Sequence, residues 1–210
     1  MSNRKILLGL TTITEGDEWK NKVKEIDELG LKEIALFPTC LDPEQRQELY
    51  GMLEETKLKR IPHVHIREQD FTSEEMKYLI ERFQTEVFNF HAQINSQEFI
   101  DKNPEIKNKL FVENTEVIQN NFEDIVAQIG GLCLDLSHWE DHGYLRVVKG
   151  YEILAELVKK YKIGINHISA IKKELTVFHE RLTGEDFYIF NSHNLSDLSE
   201  LDYVKKYKNR

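Results

Sequence analysis

Eight short runs rich in Ile, Leu, Val and Phe recur along the chain, and polar segments with helical periodicity separate most of them. They cover residues 5–11, 33–39, 61–67, 86–92, 110–116, 131–138, 163–170 and 187–193. Between the first two, Trp19, Val23, Ile26 and Leu29 mark one apolar helix face, and Gly30 supplies a C-terminal stop. Asp42-Pro43 and Thr72-Ser73 start the next two helices. Residues 144–161 form the longest helical pattern, whereas 94–108 and 117–128 read as short helices or turns. Strands alternating with helices, without a low-complexity linker or a copied block, predict an α/β fold with a single domain over residues 1–210, a compact closed (β/α)8 barrel. An open doubly wound sheet is the alternative. No G-x-G-x-x-G or Walker loop follows the first strand to support its usual nucleotide chemistry.

The 210 residues suffice for one well-buried core. With 28 Lys and Arg against 37 Asp and Glu, the formal charge is −9, so the mean field repels nucleic acid and anionic membranes. The basic cluster Lys205, Lys206, Lys208 and Arg210 reads as a solvated helix end. Cys40 and Cys133 lie far apart, in or just after apolar runs, which fits reduced thiols and a cytoplasmic protein better than a disulfide framework. No stretch approaches the roughly 20 apolar residues of a membrane span, and the apolar part of MSNRKILLGL is too short for a signal peptide. Self-association is left open by the sequence.

In a barrel of this kind the active site forms where the strands end, so the polar residues closing each run are the candidates. Run three closes with His63 and His65, run four with His91, run five with Glu113, run six with Asp135 and His138, run seven with His167, and run eight with Asn191 and His193. Six of the eight histidines thus fall at strand ends. Neutral imidazole with carboxylate is the ligand set of a divalent metal such as Zn²⁺ or Mn²⁺, and no thiolate joins it to suggest a structural zinc site. Glu113 and Asp135 are the sharpest candidates, because carboxylates inside apolar runs need a cation or strong donors. Asp135 and His138 form a D-x-x-H pair just past a strand end. His63 reads instead as a satisfied core residue, and His142, in DHGY, as an exposed loop residue. For His179 two readings stand, a ligand on a long loop or a residue of a helix over about 169–182.

At these residues the chain resembles the xylose isomerase-like TIM barrel superfamily, which holds sugar and sugar-phosphate isomerases and epimerases together with endonuclease IV-like enzymes. The likeness runs through His65, His91, the Glu113-Asn114-Thr115 turn, Asp135 with His138, His167, and His179 followed by Glu180. It implies metal ligation by His65, His91, Glu113, Asp135, His138, His167 and His179, with His193 as a substitute ligand. Val177 and Asn191 stand where the family carries acids, removing two groups that a three-metal cluster uses.

Three functions follow. A metal-dependent isomerase or epimerase of a small sugar or sugar phosphate would clamp adjacent oxygens on the ion, with Glu113 and His138 as the catalytic pair. A metal-dependent phosphoester or phosphodiester hydrolase would activate water, with Arg67, Arg181, Lys172 and Lys173 available for phosphate and Asn191 for substrate. An Arg67 flanked by Glu68 and Asp70 also suits a surface ion pair. The third is a non-catalytic barrel that keeps part of a metal site.

Overall fold

A computed structural model describes residues 5–14, 16–93, 95–179 and 186–207. The chain divides into two compact units, Met1–Leu110 and Phe111–Arg210.

The first unit alternates β1 (Gly9–Thr11), α1 (Trp19–Glu28), β2 (Glu33–Phe37), α2 (Pro43–Glu55), β3 (Arg60–His65), α3 (Ser73–Phe83), β4 (Val87–His91) and α4 (Ser96–Lys102). Its strands pair parallel in sequence order, in a register that sets Leu10 beside Leu36, Leu36 beside Val64 and Val64 beside Phe88. All four are buried, and the apolar stripes Trp19/Val23/Ile26 and Met76/Leu79/Phe83 of α1 and α3 are buried with them. Each such side chain contributes about 1.5–3 kcal/mol by leaving water. Asp42 closes a capping box with Gln45, with Pro43 in the first turn, and Thr72 accepts from the Glu75 amide. Both helix starts are therefore where the sequence places them.

The second unit opens on β5 (Leu110–Glu113) and continues through α5 (Phe122–Val126), β6 (Gly131–Asp135), the single turn α6 (Leu136–His138), a π-helical segment Trp139–Leu145, α7 (Leu154–Lys160) and β7 (Ile163–His167). β5, β6 and β7 pair parallel in that order. The chain then forms an antiparallel ribbon of β8 (Ala170–His179) and β9 (Asp186–Ser192) and ends its described part in 3₁₀ turns over Leu198–Tyr207.

This arrangement overturns the closed eight-stranded barrel. Among the described residues β1 has only β2 as a strand neighbour and β7 has only β6, so the ring is not closed. The eighth run does form a strand, but it pairs antiparallel with β8, which the sequence reading did not contain. Connection length sets the antiparallel pairing within this ribbon. Six residues separate His179 from Asp186, and a parallel return needs a crossover of a dozen or more. The helix over about 169–182 is likewise replaced by β8, so His179 ends a strand. The long helix over 144–161 is broken, with Val147 at φ 53° and Gly150 at φ 96°, and only Leu154–Lys160 remains α-helical. Cys133 is buried and Cys40 exposed, both as free thiols. Among the described residues no helix is long and apolar enough to cross a membrane.

Gly131 shows how tightly β6 and β7 are joined. It sits at φ 134°, and a Cβ there would stand 2.2 Å from the Lys162 carbonyl oxygen. Backbone strain and overpacking then act together, so Gly131→Ala is expected to cost about 3 kcal/mol in urea unfolding. A loss below about 1 kcal/mol would show that the strand start relaxes freely.

Candidate metal centre

Strand alternation explains why the second unit gathers its polar groups on one side. Glu113 lies opposite Cys133, Asp135 lies opposite His167, and Cys133 and Asp135 are two residues apart on β6. Side chains two apart share a sheet face, so Glu113, Asp135 and His167 project together from adjacent parallel strands. The Glu113 carboxylate meets His167 Nδ1 at 2.8 Å, spanning from β5 to β7.

Asp135 is fixed from several sides. Its backbone N–H donates to Asn114 Oδ1 at 2.8 Å, and its carbonyl accepts from Asn114 Nδ2 at 2.9 Å. The Asn114 side chain thereby continues the ladder one residue past β5. The Asp135 carboxylate caps α6, accepting the His138 backbone N–H at 2.9 Å and the Ser137 hydroxyl at 2.5 Å. Behind this, Ser169 donates to Ser137 at 2.6 Å, and the Tyr203 hydroxyl donates to the Ser169 carbonyl.

The electrostatics match. Burial works against the charge of Asp135, yet His138, His167 and its hydrogen bonds together lower its pKa. Burial likewise opposes charge on His167, but Glu113 and Asp135 outweigh it and raise the pKa. His138 follows the same pattern, raised against burial by Asp135, Glu116, Glu113 and Asp141. His193 is lowered by desolvation and by His138 and His167, against the opposing pull of Asp135 and Glu113. Burial and these same two carboxylates push the Cys133 thiol well up, so it is not a ready thiolate. Asn191 is buried with its Oδ1 lacking a hydrogen-bond partner.

Other sequence candidates belong to the first unit, are already engaged or lie outside the described residues. In the first unit His65 and His91 end β3 and β4 with ring centroids 4.7 Å apart, and His63 is buried against Asn89 as a core histidine. Arg67 pairs with Asp70 and donates to the Leu41 carbonyl at 2.8 Å. Lys172 bonds the Glu200 carboxylate at 2.9 Å and the Asn194 carbonyl at 2.7 Å. Arg181 lies outside the described residues, as does the side chain of His179.

His142 needs a correction. It is buried, not exposed, because the π-helical segment turns it inward, and its ring stacks on His138 at 5.3 Å between centroids, 11° from parallel. Burial and the neighbouring His138 hold its pKa down at about 4. Glu116, His138 and His142 each place one ligand atom within 4.8 Å of the others, an arrangement able to hold a metal ion. Glu116 and His142 were missed as candidates, although the H-x-x-x-H spacing of His138 and His142 is visible in the sequence.

No known protein family, no curated protein and no solved structure matches this chain. The likeness to xylose isomerase-like barrels therefore stands on the residues alone.

Proposed function

We propose that the chain is a divalent-metal-dependent isomerase of a small sugar, working from the strand ends of the second unit. The observation that carries this is the meeting of Glu113 and His167 at 2.8 Å beside a capped, buried Asp135. Two buried carboxylates and an imidazole on one sheet face form a mixed O/N donor set suited to Mn²⁺ or Zn²⁺. Glu113, Asp135 and His167 would hold the ion, with His193 close enough to feel their charge. When bound, such an ion supplies Lewis-acid polarisation of adjacent substrate oxygens.

The chain's own residues then move the proton. Glu113 takes it from the carbon next to the substrate carbonyl and returns it to the carbonyl carbon, while the proton of the adjacent hydroxyl passes to the carbonyl oxygen, and His167 orients the Glu113 carboxylate. In the resemblance, Asn191 takes the sequence position of an acid that would act as a second base. One base working on one face suits isomerisation, in which a proton moves between neighbouring carbons, better than epimerisation, which inverts a centre. A phosphoester hydrolase has less support here, since Arg67 and Lys172 are taken up by Asp70 and Glu200.

The test is proton exchange. The Mn²⁺- or Zn²⁺-loaded chain is incubated in D₂O with a panel of aldoses, ketoses and their phosphates. Deuterium is expected to enter the carbon next to the carbonyl of one substrate, and Glu113→Gln is expected to stop it. Neither exchange nor interconversion across the panel would overturn the isomerase reading.

A further inference from the structure

A second group of donors lies in the same unit and shares none of the three residues assigned to the ion above. His138 and His142 are four residues apart where α6 passes into the π-helical segment, and their rings stack face to face. Two histidines four apart on one helical face are the spacing by which a helix presents two imidazoles to one zinc ion. Glu116, on the loop after β5, brings its Oε1 to 4.0 Å from His138 Nδ1. That loop is held in place, since the Tyr151 hydroxyl donates to the Thr115 carbonyl.

The independent sign of a missing ligand is His138 itself. Its side chain is only 10% exposed, and its Nδ1 is buried without a hydrogen-bond partner. A carboxylate 4.0 Å from this nitrogen is too far away for a hydrogen bond, and an ion between the two would satisfy the imidazole. Three donors whose ligand atoms lie within 4.8 Å of one another can contract onto a bond length of about 2.0–2.2 Å by small side-chain rotations.

We infer that Glu116, His138 and His142 form a second metal site, selective for Zn²⁺ or its substitute Co²⁺. Two imidazoles and one carboxylate are the ligand set of water-activating zinc, which keeps a fourth position open. The Glu116 side chain is 62% exposed, so solvent reaches the site from the side of this donor. Hard cations such as Mg²⁺ and Ca²⁺ are disfavoured, because two of the three donors are nitrogen. Arg146 sets a condition on the site. Its Nη2 contacts the His142 ring, whereas its Nε holds Asp141 at 2.6 Å and its Nη1 holds the Tyr188 carbonyl at 2.7 Å. Zinc binding needs only the contact to His142 released, and the other two bonds keep the guanidinium beside the buried Asp141 carboxylate.

The inference does not depend on the isomerase reading, and ion counting separates them. The full-length chain is stripped with a chelator, titrated with Co²⁺, and followed by equilibrium dialysis and visible absorption. Wild type is expected to take up two ions, with His142→Asn, Glu116→Gln and Glu113→Gln each taking up one. Glu116→Gln changes an exposed side chain, so it reports on the site even where His142→Asn disturbs folding. Two ions retained in Glu116→Gln would overturn the second site. One ion in wild type, lost in Glu113→Gln and kept in Glu116→Gln, would overturn it and leave the isomerase centre standing. One ion kept in Glu113→Gln and lost in Glu116→Gln would uphold it and remove the isomerase centre.

Discussion

Glu113→Gln and Asp135→Asn are each expected to weaken Mn²⁺ or Zn²⁺ binding at the β5–β7 centre by more than about 100-fold, with little change in the unfolding midpoint. Loss of a residue that only orients a ligand already costs about 10–100-fold in metal affinity, and these changes remove a ligand charge itself. Folding survives for a local reason in each case. In Glu113→Gln the new amide oxygen still accepts from His167 Nδ1–H, and in Asp135→Asn the new side chain remains a good helix cap for the His138 N–H and the Ser137 hydroxyl. His63→Ala is expected to leave metal binding untouched, because the buried His63 ring is engaged by the Asn89 side chain. Isothermal titration of the stripped variants checks all three. Wild-type affinity in both carboxamide variants would remove the basis for the centre.

That gathering of Glu113, Asp135 and His167 on one sheet face was legible in the sequence because its logic is local. A strand's polar closing residue needs only alternation to be placed on a face, and Glu113, Asp135 and His167 each close an apolar run. The strands were legible for the same reason, all eight runs being strands in the structure. What the runs do not encode is how the last one pairs. β8 is exposed over Lys173–Val177, so it carries none of the buried alternation that announces a strand, and the short link to β9 outweighs the apolar similarity of that run to the others. His142 failed differently. D-H-G-Y has the composition of a turn, and only the wide π-helical winding, with Asp141 anchored by the Phe190 and Asn191 backbone N–H groups, brings the imidazole inside. Asn114 was noted only as part of a turn, since a side chain that completes a sheet ladder has no sequence period.

The largest stability effect is expected in the first unit, at a residue whose importance has no periodic signal either. Arg46 is fully buried on α2, and each of its five N–H groups has an acceptor. Nε and Nη2 grip Glu75 of α3 at 2.7 and 3.0 Å, Nη1 meets Asp70 at 3.0 Å and the Leu41 carbonyl at 3.1 Å, and Nη2 also meets the Asp70 carbonyl at 3.0 Å. The guanidinium lies 4.1 Å from the Phe71 ring centroid, and the Tyr50 hydroxyl donates to Glu75 at 2.6 Å. Arg46→Met deletes every charge-assisted bond while leaving Glu75 buried, which costs about 3–5 kcal/mol for a pair of this kind. Arg46→Met with Glu75→Met is expected to recover most of that loss, because the greater part is the penalty of one stranded charge. Asp70 adds a pH signature. Desolvation opposes its charge, but Arg67 and Arg46 outweigh it and lower its pKa below the ordinary carboxylate value. Its contribution is therefore complete above that ordinary value and declines as the pH falls through the lowered one. Urea unfolding of the single and double variants at neutral and acidic pH reads both effects. A single variant within about 1 kcal/mol of wild type, or a double variant no more stable than the single, would show that the buried pair does not hold α2 to α3.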